Sequence, residues 1–94
     1  MFIVRNCFVA KPGMASKLAA QLKEVTAAFE MPGARVMTDV TGDFNRVIME
    51  YSAESVGEFE ARMKQYMSDP AIREKMKGYT DLWLTGHREI LQVV

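Results

Sequence analysis

The feature that most constrains the fold is a change in the spacing of apolar residues at Lys11-Pro12-Gly13. Before this point, Phe2 to Ala10 is mostly apolar, β-branched or aromatic, which predicts a strand covered on both sides. Proline cannot donate to a sheet and glycine permits a turn, so the strand ends here. After it, apolar residues recur every three or four positions, the stripe of an amphipathic helix: Met14, Leu18, Leu22, Val25 and Phe29.

Two short alternating runs follow this helix. Pro32-Gly33 ends the helix, and Ala34 to Thr41 then alternates between apolar and polar side chains. Arg46 to Tyr51 alternates again, after the turn signal Thr41-Gly42-Asp43. The simplest arrangement of the two runs is an antiparallel hairpin.

A second helix is predicted from its capping signal. Ser55 and Glu58 have the Ser-x-x-Glu spacing, in which the serine oxygen accepts a hydrogen bond from the third helical amide and the glutamate reaches back. Asp69-Pro70 then predicts a new helical segment in a different direction, because a capping acceptor precedes a proline suited to the first turn.

The stretch after Pro70 permits two interpretations. Gly78 is suited to a helix end. A helical spacing nevertheless continues to about Leu84, in the residues Ile72, Met76, Tyr79 and Trp83. We favour the longer helix, while leaving open whether residues 79–84 are helix or strand. The alternation from His87 to Val94 predicts a last strand.

The order strand, helix, strand, strand, helix, strand predicts an α+β fold of the ferredoxin-like βαββαβ type. Its sheet has four antiparallel strands and carries the helices on one face. The chain has 94 residues, which leaves room for one hydrophobic core, so we expect a single ferredoxin-like domain over residues 1–94.

Charge and hydropathy exclude two classes of partner. Lys and Arg number 12 and Asp and Glu number 12, so no basic excess is available for nucleic acid. The uninterrupted apolar runs are too short for a membrane span. Arg5 and Asn6 follow the first apolar residues, which is not the order of a signal peptide, and the single cysteine Cys7 fits a reducing compartment. We therefore expect a cytoplasmic protein.

The predicted sheet has a second face that the helices do not cover. Both faces of the first strand carry large apolar groups, so this second face is not obviously polar. Packing two sheets face to face about a twofold axis would bury that surface. A homodimer is the expected assembly.

Three segments, in this order, resemble the dimeric α/β-barrel superfamily and in particular NIPSNAP-like proteins. They are Arg5 followed by Lys11-Pro12-Gly13, the Ser55-Val56 helix start leading to Asp69-Pro70, and Gly86 to Ile90 in the last strand. The resemblance implies a ferredoxin-like fold and a dimeric α/β barrel. It implies no single activity, because members include cofactor-free oxygenases, heme-degrading enzymes and isomerases.

Asn6 is the first candidate site residue, since it is the only polar residue on a strand face otherwise made of Phe2, Val4 and Phe8. It resembles the strand-one asparagine of the more distant antibiotic-biosynthesis-monooxygenase branch. We favour a buried amide satisfied by neighbouring backbone. The alternative is an amide that orients a ligand in a cavity between sheet and helices.

His87 and Trp83 are the other candidates. His87 is the only histidine, which excludes a site built on several histidines, but it is a possible general base oriented by Glu89. A surface or interface role is the simpler interpretation of His87, and a core role that of Trp83. Heme-degrading members carry a tryptophan and a histidine in the second helix and the segment after it, and the matching residues here contain neither. We expect no cofactor and no metal.

Two functions stay open. The first is a small dimeric protein of uncharacterised role that binds a small apolar molecule between sheet and helices. The second is a cofactor-independent monooxygenase or isomerase acting on an aromatic or polyketide-like substrate. In that case Asn6 orients the substrate and His87 accepts a proton. The two functions differ in whether Asn6 and a second polar group converge on one cavity.

Overall fold

A computed structural model describes all 94 residues of the chain. Four strands and three helices follow one another in the order βαββααβ, with a 3₁₀ turn at Tyr79–Asp81 before the last strand. The elements are β1 (Phe2–Ala10), α1 (Ala15–Ala28), β2 (Arg35–Thr38), β3 (Arg46–Ala53), α2 (Val56–Ser68), α3 (Pro70–Lys75) and β4 (Trp83–Gln92). None of the helices is both long and apolar enough to span a membrane.

The strands form one antiparallel sheet in the order β2-β3-β1-β4. This confirms the predicted ferredoxin-like α+β fold. The register places Asn6 between Met49 on β3 and Arg88 on β4, so these three residues share one face of the sheet. Cys7 pairs with Ile48 and His87, which share the opposite face.

The helices cover only the face that carries Asn6, and the hydrophobic core lies between them and the sheet. The predicted stripe of α1 faces this core, with Leu18, Leu22 and Val25 buried. On the sheet side, Val4 and Tyr51 are almost completely buried. We call the uncovered surface of the sheet the open face.

The capping prediction for α2 is confirmed. The Ser55 side chain accepts a hydrogen bond from the Glu58 amide at 3.0 Å. The Glu58 carboxylate reaches back to the Glu54 amide at 2.7 Å, and Asp69 caps α3 through the Ala71 amide. Both helices therefore begin where side-chain acceptors satisfy otherwise free amides.

Strand β2 is shorter than predicted. It ends at Thr38, whereas the alternation in the sequence extends to Thr41. Asp39 lies just after the end of the strand, and its carboxylate accepts hydrogen bonds from Arg46 Nε at 3.1 and 3.2 Å. The chain then continues through a loop in which Phe44 and Asn45 have positive φ. The alternation in the sequence predicts neither this ion pair nor the end of the strand before it.

The preference for a helix through about Leu84 was wrong. Helix α3 ends at Lys75, and Gly78 adopts a left-handed conformation with φ of 79° that ends the helical segment. Trp83 begins β4 and pairs with Ala10, so the last strand starts four residues before His87. The apolar spacing persists because Met76, Tyr79 and Trp83 still pack against the core from a turn and a strand.

Candidate functional site

A cavity of about 550 Å³ lies between the sheet and the helices. Of its 18 lining residues 13 are hydrophobic, and they come from β1, β3, β4 and all three helices. Five of these are methionines, whose flexible side chains adapt to ligands of different shape: Met31, Met49, Met63, Met67 and Met76. The size and apolar lining are those of a small-molecule site.

Three aromatic side chains form one part of the cavity wall. The ring of Phe8 lies 5.4 Å from that of Trp83 and 6.5 Å from that of Tyr79, and the Tyr79 and Trp83 rings are 6.2 Å apart. The indole Nε1 of Trp83 is buried and has no hydrogen-bond partner in the chain. An unpaired buried donor is costly, so Trp83 Nε1 is a polar group that the chain itself leaves unsatisfied.

Asn6 and Arg88 form the polar part of the wall. Arg88 Nε donates to Asn6 Oδ1 at 2.7 Å, and the Arg88 guanidinium lies over the Phe59 ring at 5.4 Å from its centroid. Asn6 is only 8% exposed, so the predicted burial of this amide is correct. Its partner is a guanidinium, however, and not the neighbouring backbone that we expected.

Tyr51 supplies a second buried polar atom beside the cavity. Its hydroxyl lies 3.7 Å from Met63 Sδ, a weak acceptor. Burial raises the pKa of the Tyr51 phenol above its ordinary value, and the nearby charge of Arg88 offsets only part of this effect. Tyr51 therefore stays protonated near neutral pH and can act as a hydrogen-bond donor.

His87 is not brought together with Asn6. Although His87 borders the cavity along β4, its imidazole lies on the open face, where Nε2 is 3.3 Å from Glu89 Oε1 and close to the thiol of Cys7. The imidazole is 64% exposed. Burial and the Glu89 carboxylate raise the pKa of the Cys7 thiol, so this cysteine is not an activated nucleophile.

Of the three candidates from the sequence, Asn6 and Trp83 line the cavity with their side chains, and His87 faces away from it. Arg88 and Arg73 also line the cavity, and neither was predicted from the sequence. One signal was available for Arg88, because a charged residue at a core-facing position of a strand needs a partner. Identifying that position required the register of β4 against β1.

No protein-family model and no curated protein matches the sequence. Solved structures do match. A NIPSNAP family protein from Agrobacterium tumefaciens superposes with a TM-score of 0.86 at 12% identity, over 99% of this chain and 85% of that one. A NIPSNAP-like domain protein from Burkholderia xenovorans gives a TM-score of 0.81 at 16% identity, over 99% and 84% of the two chains. The chain shares the fold of these two structures.

The same fold is found in a further structure, described as an antibiotic biosynthesis monooxygenase. It superposes with a TM-score of 0.74 at 9% identity, over 100% of this chain and 99% of that one. Both parts of the resemblance seen in the sequence are therefore confirmed at the level of the fold. Identities this low carry the fold and no activity, and the Burkholderia protein is itself described as uncharacterized.

Proposed function

We propose that the protein binds a small apolar molecule in the cavity between sheet and helices. The observation that carries this proposal is the cavity itself, about 550 Å³ with 13 hydrophobic residues among the 18 that line it. The unpaired Trp83 Nε1 and the Asn6 amide are polar atoms of the kind that fix the orientation of a ligand among apolar walls.

Binding is favoured over catalysis by the chemistry of the lining. The cavity is lined by no Asp or Glu, and the imidazole of His87 lies on the open face. A proton acceptor is therefore missing beside a bound molecule. The alternative function, a cofactor-independent monooxygenase or isomerase for an aromatic or polyketide-like substrate, is supported by the aromatic wall of Phe8, Tyr79 and Trp83.

The proposal includes a homodimer formed through the open face. This face carries apolar residues such as Ile3, Val9 and Ile48, and its charges are already paired within the chain. Glu50 is an example, because its carboxylate lies 3.4 Å from Arg5 and 3.3 Å from Arg35. A surface of paired charges and apolar groups can be buried against a second copy at lower cost than one with free charges.

A cytoplasmic location is part of the same proposal. Cys7 is the only cysteine and it is a free thiol in the chain. A protein without disulfides is typical of a reducing compartment.

The binding proposal is tested with N-phenyl-1-naphthylamine, an uncharged dye whose fluorescence rises in an apolar site. We expect saturable binding with one dye molecule per chain. The variant Met63→Trp fills part of the cavity from α2 and should weaken dye binding by about tenfold or more.

The matched control is Val40→Trp, which places the same indole on a residue that is 98% exposed and outside the cavity. This control should bind the dye as the parent does. Absence of saturable binding to the parent would contradict the proposal. Equal affinity of Met63→Trp and the parent would show that the dye binds elsewhere.

A further inference from the structure

We infer that the molecule bound in the cavity is a carboxylic acid with an apolar body, whose carboxylate is held by Arg88 and Arg73. This inference rests on the proposed binding function and names the class of ligand. It starts from a difference among the arginines of the chain, which number six. Four of them form ion pairs with carboxylates within 4.0 Å: Arg5, Arg35, Arg46 and Arg62.

The two arginines without a carboxylate partner are Arg73 and Arg88, and both line the cavity. No Asp or Glu lines it with them. The chain as a whole has no net charge, so the positive charge of these two arginines does not reflect a general excess of basic residues. Two free guanidinium groups at an otherwise apolar site favour an anionic ligand.

The guanidinium of Arg88 is held in one orientation. Its Nε donates to the buried Asn6 Oδ1 at 2.7 Å, and its plane is anchored over the Phe59 ring. The two Nη groups have no hydrogen-bond partner in the chain. A planar guanidinium whose terminal nitrogens are free matches the two oxygens of a carboxylate, and holding it in place lowers the entropic cost of binding.

Arg73 is constrained in a similar way from the helical side. Its Nε donates to the Met67 carbonyl at 3.2 Å, which likewise leaves both Nη groups free. Both arginines are solvent-exposed, whereas Trp83 and Phe8 lie more deeply among the apolar residues. The ligand is therefore expected to bind with its carboxylate at the exposed edge of the cavity and its apolar body against the aromatic wall.

The test compares two probes with the same apolar body, 2-naphthoate and the uncharged 2-naphthamide, by isothermal titration calorimetry at pH 7. We expect the parent to bind the acid about tenfold or more tightly than the amide, because hydrogen bonds to a charged group are the stronger ones. The double variant Arg73→Gln/Arg88→Gln should bind the two probes with equal affinity. The control Lys17→Gln/Lys23→Gln also removes two positive charges, on the exposed side of α1, and should keep the preference for the acid.

A second variant leaves both arginines in place. Asn6→Asp retains the acceptor for Arg88 Nε but adds a carboxylate that offsets the charge of Arg88 alone, so the preference for the acid should fall severalfold while Arg73 retains the remainder. This variant decides the question even where the double variant does not fold.

The outcomes separate the inference from the proposed function. Equal binding of both probes to the parent overturns the inference and leaves apolar binding intact. Binding of the uncharged dye without binding of either naphthyl probe likewise overturns the inference and leaves apolar binding intact. A preference for the acid that is undiminished in Asn6→Asp, or that survives in a folded double variant, also overturns it. If neither the naphthyl probes nor the dye binds, both the inference and the proposed function fail.

Discussion

Asn6 lies on a strand face where its neighbours, Val4 and Phe8, are apolar, and it accepts a hydrogen bond from Arg88 Nε. The amide is buried, whereas the guanidinium is exposed to solvent. The bond therefore ties an exposed charged group to the core. Asn6 is therefore a buried amide with a side-chain partner, and it also forms part of the cavity wall.

We expect Asn6→Leu to lower the free energy of unfolding by about 1 kcal/mol. Leucine removes the acceptor, but the exposed Arg88 Nε regains a hydrogen bond from water, so the loss falls below the usual range for a bond to a charged group. Urea denaturation of the variant and the parent measures this difference.

The control for Asn6→Leu is Gln65→Leu on the exposed surface of α2, which removes an amide of the same type and should change stability by less than about 0.5 kcal/mol. An unchanged or higher stability of Asn6→Leu would show that the Arg88 bond contributes nothing to the fold.

The limits of sequence analysis are clear at the level of single residues. The apolar neighbours of Asn6 sufficed to predict that its amide is buried. Its partner lies 82 residues further along the chain, and only the strand register brings the two together. Arg88 and Arg73 were missed for the same reason, because local periodicity does not report which distant side chains meet.

At the scale of elements, three boundaries marked by a proline, a glycine or a capping residue are predicted correctly. The break at Lys11-Pro12-Gly13, the cap at Ser55 and the restart at Pro70 all lie at the predicted positions. The segment after Pro70 has two competing signals, an apolar spacing and Gly78. The helical segment ends at Gly78 and not at Leu84, because Trp83 pairs with Ala10 in the sheet and cannot also belong to a helix.

We expect Gly78→Ala to lower the free energy of unfolding by about 1 kcal/mol. Gly78 has φ of 79°, a conformation that costs about this much for a residue with a Cβ atom. No heavy atom lies within 4 Å of the position that the new Cβ would take, so the cost comes from the backbone and not from a clash. Thermal unfolding of the variant beside the parent measures the effect.

Gly57→Ala is the matched control for this change. Gly57 lies in the first turn of α2 without a positive φ, and its nearest contact with an added Cβ is 3.8 Å, so alanine should stabilise the protein by a few tenths of a kcal/mol or more. If Gly78→Ala were as stable as Gly57→Ala, the left-handed turn would not be what ends the helical segment.

At the scale of the whole molecule, the two faces of the sheet have very different surroundings. The helices cover one face of the sheet, and the cavity lies between them and that face. The open face has no cover, yet Glu50 on this face has a side chain that is only 6% exposed. Its two arginine partners, Arg5 and Arg35, cover the carboxylate and offset its charge. The apolar residues Ile3, Val9 and Ile48 therefore lie beside charges that largely cancel one another.

We expect a homodimer in solution, with a mass of about 21 kDa, twice the 10.6 kDa of one chain, by light scattering at micromolar concentration. Ile48→Glu places an unpaired carboxylate on the open face, opposite Cys7, where a second sheet would have to desolvate it. This variant should give the mass of one chain while it retains its circular dichroism spectrum. Val40→Glu adds the same charge to an exposed loop and should stay dimeric. A parent mass near 10.6 kDa, or a dimeric Ile48→Glu, would show that the open face is not the dimer interface.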